Sequence, residues 1–530
     1  MKRAAALVTV IFALSIGAVA AAAPAAPAGS AAQAARAADL LGHASDAISE
    51  LHLDEAERLL AQVAATHPGL PLLQFEQSRL AFYRGSYRAA VDLADRAIAN
   101  ARGHDKKGWE QMRDLMAATE RVTHDFERVT SANGRYVVSY PAGKDALLSS
   151  YALDVLAKAD HALQAAFGIA LPGPIRIEIY PSPETLAQVS ALTVEQIQTT
   201  GTVALSKWNR LMITSPKALV RGYPWADTIT HELVHMVVSR ITGDRAPVWL
   251  QEGTAKLFER SWRERGAELL LDPPAKALLH DANAKNKLIT FEQMYPSIAM
   301  LPSEDDAALA FAQVATFMQT YVEKHGQAAL RDALARVEDG MDAREALGKA
   351  AAQPFAKIEG EWKASLPAKP EGASKARRLK PRFRVGDGPS DESTEVVEDD
   401  ARRFLRIGDL LWDRGRAGAA ALEYEKAHRA DRDDPIVAAR WARAALDAGN
   451  AHAAIEALEP QAARYPGHAP TQALLGAARL QLGERAQASA ALHEAIWINP
   501  FDPDPHCNLA RASDDAAEAG REQKACESLR

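Results

Sequence analysis

Two histidines stand four residues apart in the stretch THELVHMVVSRITGDRAPVWLQEGTAKLFE, which runs from Thr230 to Glu259. On a helix, His231 and His235 lie one turn above each other on one face. Two imidazole nitrogens so placed can serve one tetrahedral zinc ion. Glu232 adjoins the first histidine and projects toward the open coordination position. There it can act as general base toward a water and pass the proton to a leaving amine. A catalytic zinc takes a third protein ligand and keeps one position free. Glu252 is the candidate, 17 residues beyond His235 (252 − 235). A plainer reading of the same letters is a packed helix with two satisfied histidines.

The elements that must position these groups can be read from the surrounding pattern. Pro224 suits a helix start and Gly243 its end. Ile229, Leu233 and Val237 form an apolar stripe rotated from the histidines, so the helix can pack while both imidazoles face a cleft. Gly243, Asp244 and Pro247 supply a turn, which makes an antiparallel return of the Glu252 segment the expected geometry. Upstream, residues 134–141, 175–181 and 210–216 read as strands, with a helix from Lys144 to Phe167 between the first two. Beyond Trp225 the pattern is helical, so this region reads as α+β.

On the C-terminal side, small residues recur at Gly408, Ala442, Gly476 and Ala510, and again at Ala420, Ala454 and Ala488, in steps of 34. Two helices per 34 residues, with small residues where they cross, is the pattern of tetratricopeptide repeats. Pro466 and Pro500 end the second helix of a unit, while Arg432 stands where a third such proline would fall. Ala56 and Ala90 carry a shorter echo of the period, and FYRGSY (Phe82 to Tyr87) reads as a turn between helices. The expected organisation is a signal peptide and disordered start at 1–30, helical repeats at 31–122, the α+β domain at 125–367, a charged linker at 368–400 and repeats at 401–530.

The first residues, MKRAAALVTVIFALSIGAVAAA, have a basic start, a short apolar core and small residues at a cleavage region. Export to a bacterial periplasm or beyond is the expected localisation, with no stable membrane span after cleavage. Cys507 and Cys526 fit either a disulfide between adjacent helices or two buried thiols. The net charge of −7 over 530 residues argues against nucleic acid as a partner.

HELVH followed by PVWLQEGTAKLFE resembles the gluzincin metallopeptidases, and most closely the peptidase MA-like domains found beside tetratricopeptide repeats in exported bacterial proteins. The likeness spans about residues 130 to 366 and includes IRIEIYPSPE and GTVALSKWNRLMITSP. It implies a mainly α chain, with an α+β gluzincin-like metallopeptidase domain between α-helical repeat segments. It implies zinc held by His231, His235 and Glu252, with Glu232 as general base, acting on a peptide or protein substrate. It also implies an edge strand, either GTVAL or RLMIT, that holds extended substrate. No Gly-x-Met-Glu-Asn string is present to read a substrate amino terminus, which favours an endopeptidase over an exopeptidase. The repeats would bind protein partners. Two positions depart from the family pattern. Lys256 stands where many of these domains carry a carboxylate, so support for a zinc histidine would come from Glu259 or a backbone carbonyl. Phe311 stands where a tyrosine could stabilise an oxyanion. Tyr295, Tyr321, His280 and Arg221 are the remaining candidates for that task. The alternative reading is an inactive metallopeptidase-like domain serving a repeat scaffold.

Overall fold

The computed structural model describes residues 28–101, 106–263, 269, 271–366, 378–384 and 392–530. The expected signal peptide lies outside the described residues, apart from the last three positions of the 1–30 segment, which begin a helix, Ala28–Ser49. Two compact units form, one from the residues up to Ala117 with Phe291–Leu301, the other from Ala118–Thr290 with Pro302–Arg530. No described helix is long and apolar enough to cross a membrane.

In the first unit, helices Leu53–Thr66, Pro71–Tyr83 and Tyr87–Asn100 follow one another through short turns. Ala56 and Ala90, the two small residues of the repeat echo, are fully buried. Gly85, in the expected FYRGSY turn, takes a positive φ of 79° that favours glycine.

The second unit is built on a five-stranded sheet: β1 Phe126–Thr130, β2 Tyr136–Pro141, β3 Ile175–Tyr180, β4 Ala204–Lys207 and β5 Arg210–Thr214. The strand order is β1-β2-β3-β5-β4. β2, β3 and β5 are parallel, and antiparallel β1 and β4 close the two edges. Every residue of β3 is buried, as a parallel strand covered on both faces requires. The crossover from β2 to β3 is the helix Ala146–Phe167, ended by Gly168 in the left-handed conformation. β1 went unread in the sequence because FERVT buries no residue fully and alternates poorly.

After β5 come the two helices that matter most, Trp225–Thr242 and Val248–Phe258, hereafter the histidine helix and the glutamate helix. Gly243 and Asp244 turn the chain between them with φ of 54° and 58°. The glutamate helix then lies against the long helix Glu304–Glu338. Gly253 permits that approach, since a Cβ there would meet Val314 O at 2.8 Å and Met318 Cγ at 2.6 Å. Trp249 packs beside Phe317 and Phe355, so it is part of the core.

Eight helices from Asp399–Asp413 to Ala516–Leu529 form four successive hairpins. Gly408 and Gly476 of the 34-residue period sit at helix crossings. A Cβ on Gly408 would stand 2.4 Å from the Tyr424 ring, and one on Gly476 would stand 2.6 Å from Leu492. Ala420, Ala454 and Ala488 are fully buried. Cys507 and Cys526 form a disulfide joining the last two helices.

This helical array is seated on the sheet domain. Ile498 O accepts from Tyr223 N at 3.0 Å, and Ile496 O accepts from Trp225 Nε1 at 3.1 Å, both immediately before or at the start of the histidine helix. Arg263 bridges Asp227 of that helix and Glu494 of the third hairpin, and lies over the Trp497 ring. Tyr151, on the crossover helix, donates to Glu522 at 2.7 Å, while His506 Nδ1 lies 2.6 Å from the same carboxylate. Of the segment that composition reads as a linker, Phe383 pairs with Leu219, Val220 N donates to Arg382 O, and Arg221 binds Glu395. Its described part is therefore tied to the loop that precedes the histidine helix.

Candidate metal centre

The histidine helix is capped by residues the chain supplies locally, Pro224 at its start and Gly243 in the left-handed conformation at its end. Its apolar stripe, Ile229, Leu233 and Val237, is buried, which turns the opposite face toward the glutamate helix. On that face His231 Nε2 and His235 Nε2 lie 3.2 Å apart. Glu252 Oε2, arriving from the antiparallel glutamate helix, is 3.3 Å from the first and 3.7 Å from the second. Tetrahedral ligand atoms about a zinc ion, each roughly 2.0–2.1 Å from it, stand about 3.3 Å from one another. Two of the three separations match that requirement, and the third, at 3.7 Å, is slightly wider. Among the described residues this is the one group of three or more such side chains able to hold a metal ion.

The outer nitrogens of both imidazoles are held as well. His231 Nδ1 lies 3.2 Å from Glu259 Oε2, and His235 Nδ1 lies 3.3 Å from Gln251 Oε1. Both partners can accept there, so with an ion at the centre each Nδ1 would carry the proton and each Nε2 would turn a lone pair inward. Lys256 Nζ donates to both oxygens of Glu259 at 2.9 Å.

Glu232 is buried beside the pair, and its Oε2 has no hydrogen-bond partner among the described residues. A buried carboxylate oxygen left without a donor fits a role toward water at the centre. Burial pushes the Glu232 carboxyl up to about 8; the His231 charge opposes this and the Glu252 carboxylate adds to it. Burial also raises the Tyr223 hydroxyl, with the charge of Glu232 contributing, and that hydroxyl donates to Thr214 O at 2.5 Å. Burial works against a charged His231, yet hydrogen bonds to Glu252 and Glu259 hold it protonated up to about 10 when only protein groups face it. Three carboxylates around two imidazoles make a centre that attracts a cation.

The candidates for stabilising an oxyanion fare differently. Tyr321 is buried and its hydroxyl donates to Leu347 O at 3.1 Å. Arg221 is bound to Glu395 at 2.7 Å and Glu392 at 3.4 Å. His280 sits half-buried on the helix Pro273–Ala284, Phe311 half-buried on the long helix, and Tyr295 is exposed within the first unit. Tyr321 and Arg221 are thus engaged with partners other than the histidine pair. Of the two stretches offered as an edge strand, RLMIT is β5, hydrogen-bonded on both sides, and GTVAL contributes to β4, whose outer edge is free of other strands among the described residues. Gln251 and Tyr223 escaped sequence reasoning. Gln251 carries a signal in hindsight, since it directly precedes the third ligand candidate and so lies close to the face that meets the histidines.

Residues 154–368 match the family model of the Peptidase MA superfamily. No curated protein matches the sequence. Among solved structures, a thermophilic TPR protein of Thermus thermophilus is 24% identical over 24% of this chain and 72% of its own, with a TM-score of 0.22. MamA residues 41-end from Desulfovibrio magneticus RS-1 is 19% identical over 24% of this chain and 72% of its own, with a TM-score of 0.21. Native yeast LTA4 hydrolase is 11% identical over 76% of this chain and 67% of its own, with a TM-score of 0.31. The family match makes residues 154–368 a peptidase-like domain, and the elements described above make the chain mainly α with an α+β core.

Proposed function

We propose that this chain is an exported zinc-dependent endopeptidase, with Glu232 as its general base. The observation that carries the reading is the convergence of His231 Nε2, His235 Nε2 and Glu252 Oε2, 3.2–3.7 Å from one another, close to the spacing of ligands about one tetrahedral ion. Zinc, when bound, supplies Lewis acidity toward a peptide carbonyl and lowers the pKa of an attacking water to near 7. The chain's own residues do the rest. Glu232, buried and without a donor on Oε2, removes the proton from the water as its oxygen bonds to the carbonyl carbon. The same carboxyl then delivers that proton to the amide nitrogen as the carbon–nitrogen bond breaks. Tyr223, packed near Glu232, keeps the carboxylate in a dry setting where proton transfer to it is favourable. The free edge of β4 offers backbone groups to an extended substrate. Export agrees with the apolar start of the sequence, and the Cys507–Cys526 disulfide suits an oxidising compartment. The helical hairpins are read as surfaces for protein partners.

The test is metal content beside turnover. The purified chain should hold one zinc per molecule and cleave casein within the chain. Glu232→Gln should retain the zinc and lose at least about a hundredfold of the rate. An unchanged rate in that variant would remove the base role, and a wild-type protein with full zinc and no turnover would favour a scaffold built on a silent peptidase domain.

A further inference from the structure

We propose that Glu259 is the positioning residue of the metal centre and that Lys256 fixes its place and balances its charge, an inference that rests on the metallopeptidase reading. Glu252, Lys256 and Glu259 stand at i, i+4 and i+7 along the glutamate helix and its C-terminal cap, one stripe that faces the histidine helix. Lys256 stands one turn beyond Glu252, between it and Glu259. A lysine there has three donors and no acceptor, so it cannot serve His231 Nδ1. The acceptor has moved almost one further turn, to the residue that caps the helix, where Glu259 Oε2 reaches His231 Nδ1 at 3.2 Å. Asp227, the other carboxylate nearby, is committed elsewhere: it accepts from Trp262 Nε1 at 2.8 Å and from Arg263 at 2.9 Å.

Lys256 follows from this displacement. Its ammonium grips both oxygens of Glu259 at 2.9 Å, which leaves the carboxylate one orientation toward the imidazole. Its positive charge stands directly against the Glu259 carboxylate. The residue that departs from the family pattern thus becomes the compensation for a carboxylate placed one turn later.

The full-length chain and its variants would be titrated with zinc against a chromophoric chelator, and with cobalt to follow the visible absorption of the bound ion. Glu259→Gln should weaken zinc binding about 10–100-fold and shift the cobalt spectrum, with kcat falling and KM for a peptide little changed. Lys256→Met should weaken zinc about two- to fivefold, and Lys256→Arg should restore it. The Lys256→Met/Glu259→Gln double variant should bind no worse than Glu259→Gln alone, because the lysine acts through the glutamate. Zinc binding by Glu259→Gln equal to wild type would overturn the proposal. So would tighter binding by Lys256→Met, which would mean that the lysine competes with the metal for Glu252. Should Glu259→Gln fail to fold, the lysine variants alone decide between these outcomes. A wild-type chain that binds no zinc would end the metallopeptidase reading itself, a result distinct from wild-type binding with unaffected variants.

Discussion

Gly222→Ala is the sharpest single perturbation of the way the C-terminal hairpins meet the histidine helix. Gly222 has a φ of 71°, and a Cβ there would stand 2.1 Å from Ile498 O, 2.9 Å from Ile498 C and 3.1 Å from Asn499 Cα. All three atoms are backbone at a helix end, so no rotamer change relieves the overlap. Restoring an ordinary carbon–oxygen contact needs a shift of about 1 Å or more. That shift breaks the Tyr223 N to Ile498 O bond of 3.0 Å and draws on the Trp225 Nε1 to Ile496 O bond of 3.1 Å. A buried donor left unpaired costs about 1–3 kcal/mol, and the left-handed backbone costs an alanine about 1–2 kcal/mol. The substitution should therefore weaken the docking by about 2–5 kcal/mol, roughly thirtyfold or more in its equilibrium. Limited proteolysis should release the C-terminal hairpins from Gly222→Ala at protease concentrations the wild type resists, and Trp225 fluorescence should move toward that of an exposed indole. Gly467→Ala serves as control at the same junction, because its Cβ would meet only Pro224 Cγ at 3.9 Å. If Gly222→Ala resists protease as well as wild type and Gly467→Ala do, the junction is not held as described.

Two other outcomes follow from the same structure. Thr214 N donates to Val203 O at 2.7 Å, so in the antiparallel register of β4 with β5 the Ser206 N–H points to the free edge. Ser206→Pro should leave the sheet folded, as circular dichroism can check, and raise KM for a peptide about two- to tenfold through one lost backbone bond. At the base of the array, burial pushes the Glu522 carboxyl up, but hydrogen bonds involving His506, Tyr151 and Arg521 outweigh it and hold it below the ordinary 4.5. A depressed folded pKa means that this contribution is complete above the ordinary carboxylate range and is lost as pH falls through the lower folded value. Resistance of the last hairpin to acid-stable protease should fall in that window. Glu522→Gln should lower it already at neutral pH, by about 3 kcal/mol in docking, and flatten the acid response.

How much could be read in advance depended on how local each feature is. The histidine helix announced itself through Pro224, Gly243 and a four-residue spacing, all set within one element. Glu252 was reachable because only a short turn, Gly243 to Pro247, separates its helix from the histidines. The repeats were legible because helix crossings demand small residues at a fixed interval, as Gly408 and Gly476 do. The exchange of roles between Lys256 and Glu259 was harder, since it depends on which of two positions on a stripe meets an imidazole from another helix. Tyr321 and Arg221 looked free in the sequence and are committed to Leu347 O and Glu395 by folding. The pairing of Cys507 with Cys526 stayed open for the same reason, because it needed the register of one helix against another.

The seating of Ile496, Ile498 and Glu522 against the sheet domain has a consequence for the order in which the molecule is made. A ribosome releases the histidines and Glu252 long before the residues that close the start of their helix. Until Ile496 and Glu522 have been made, Trp225 has no Ile496 carbonyl to bind and Tyr151 has no Glu522. A nascent or truncated chain would carry His231, His235 and Glu252 and still lack the groups that settle the helix presenting the two histidines. Settling of the histidine helix thus waits on residues made well after it, and a product that lacks Ile496, Ile498 and Glu522 cannot reach the finished form.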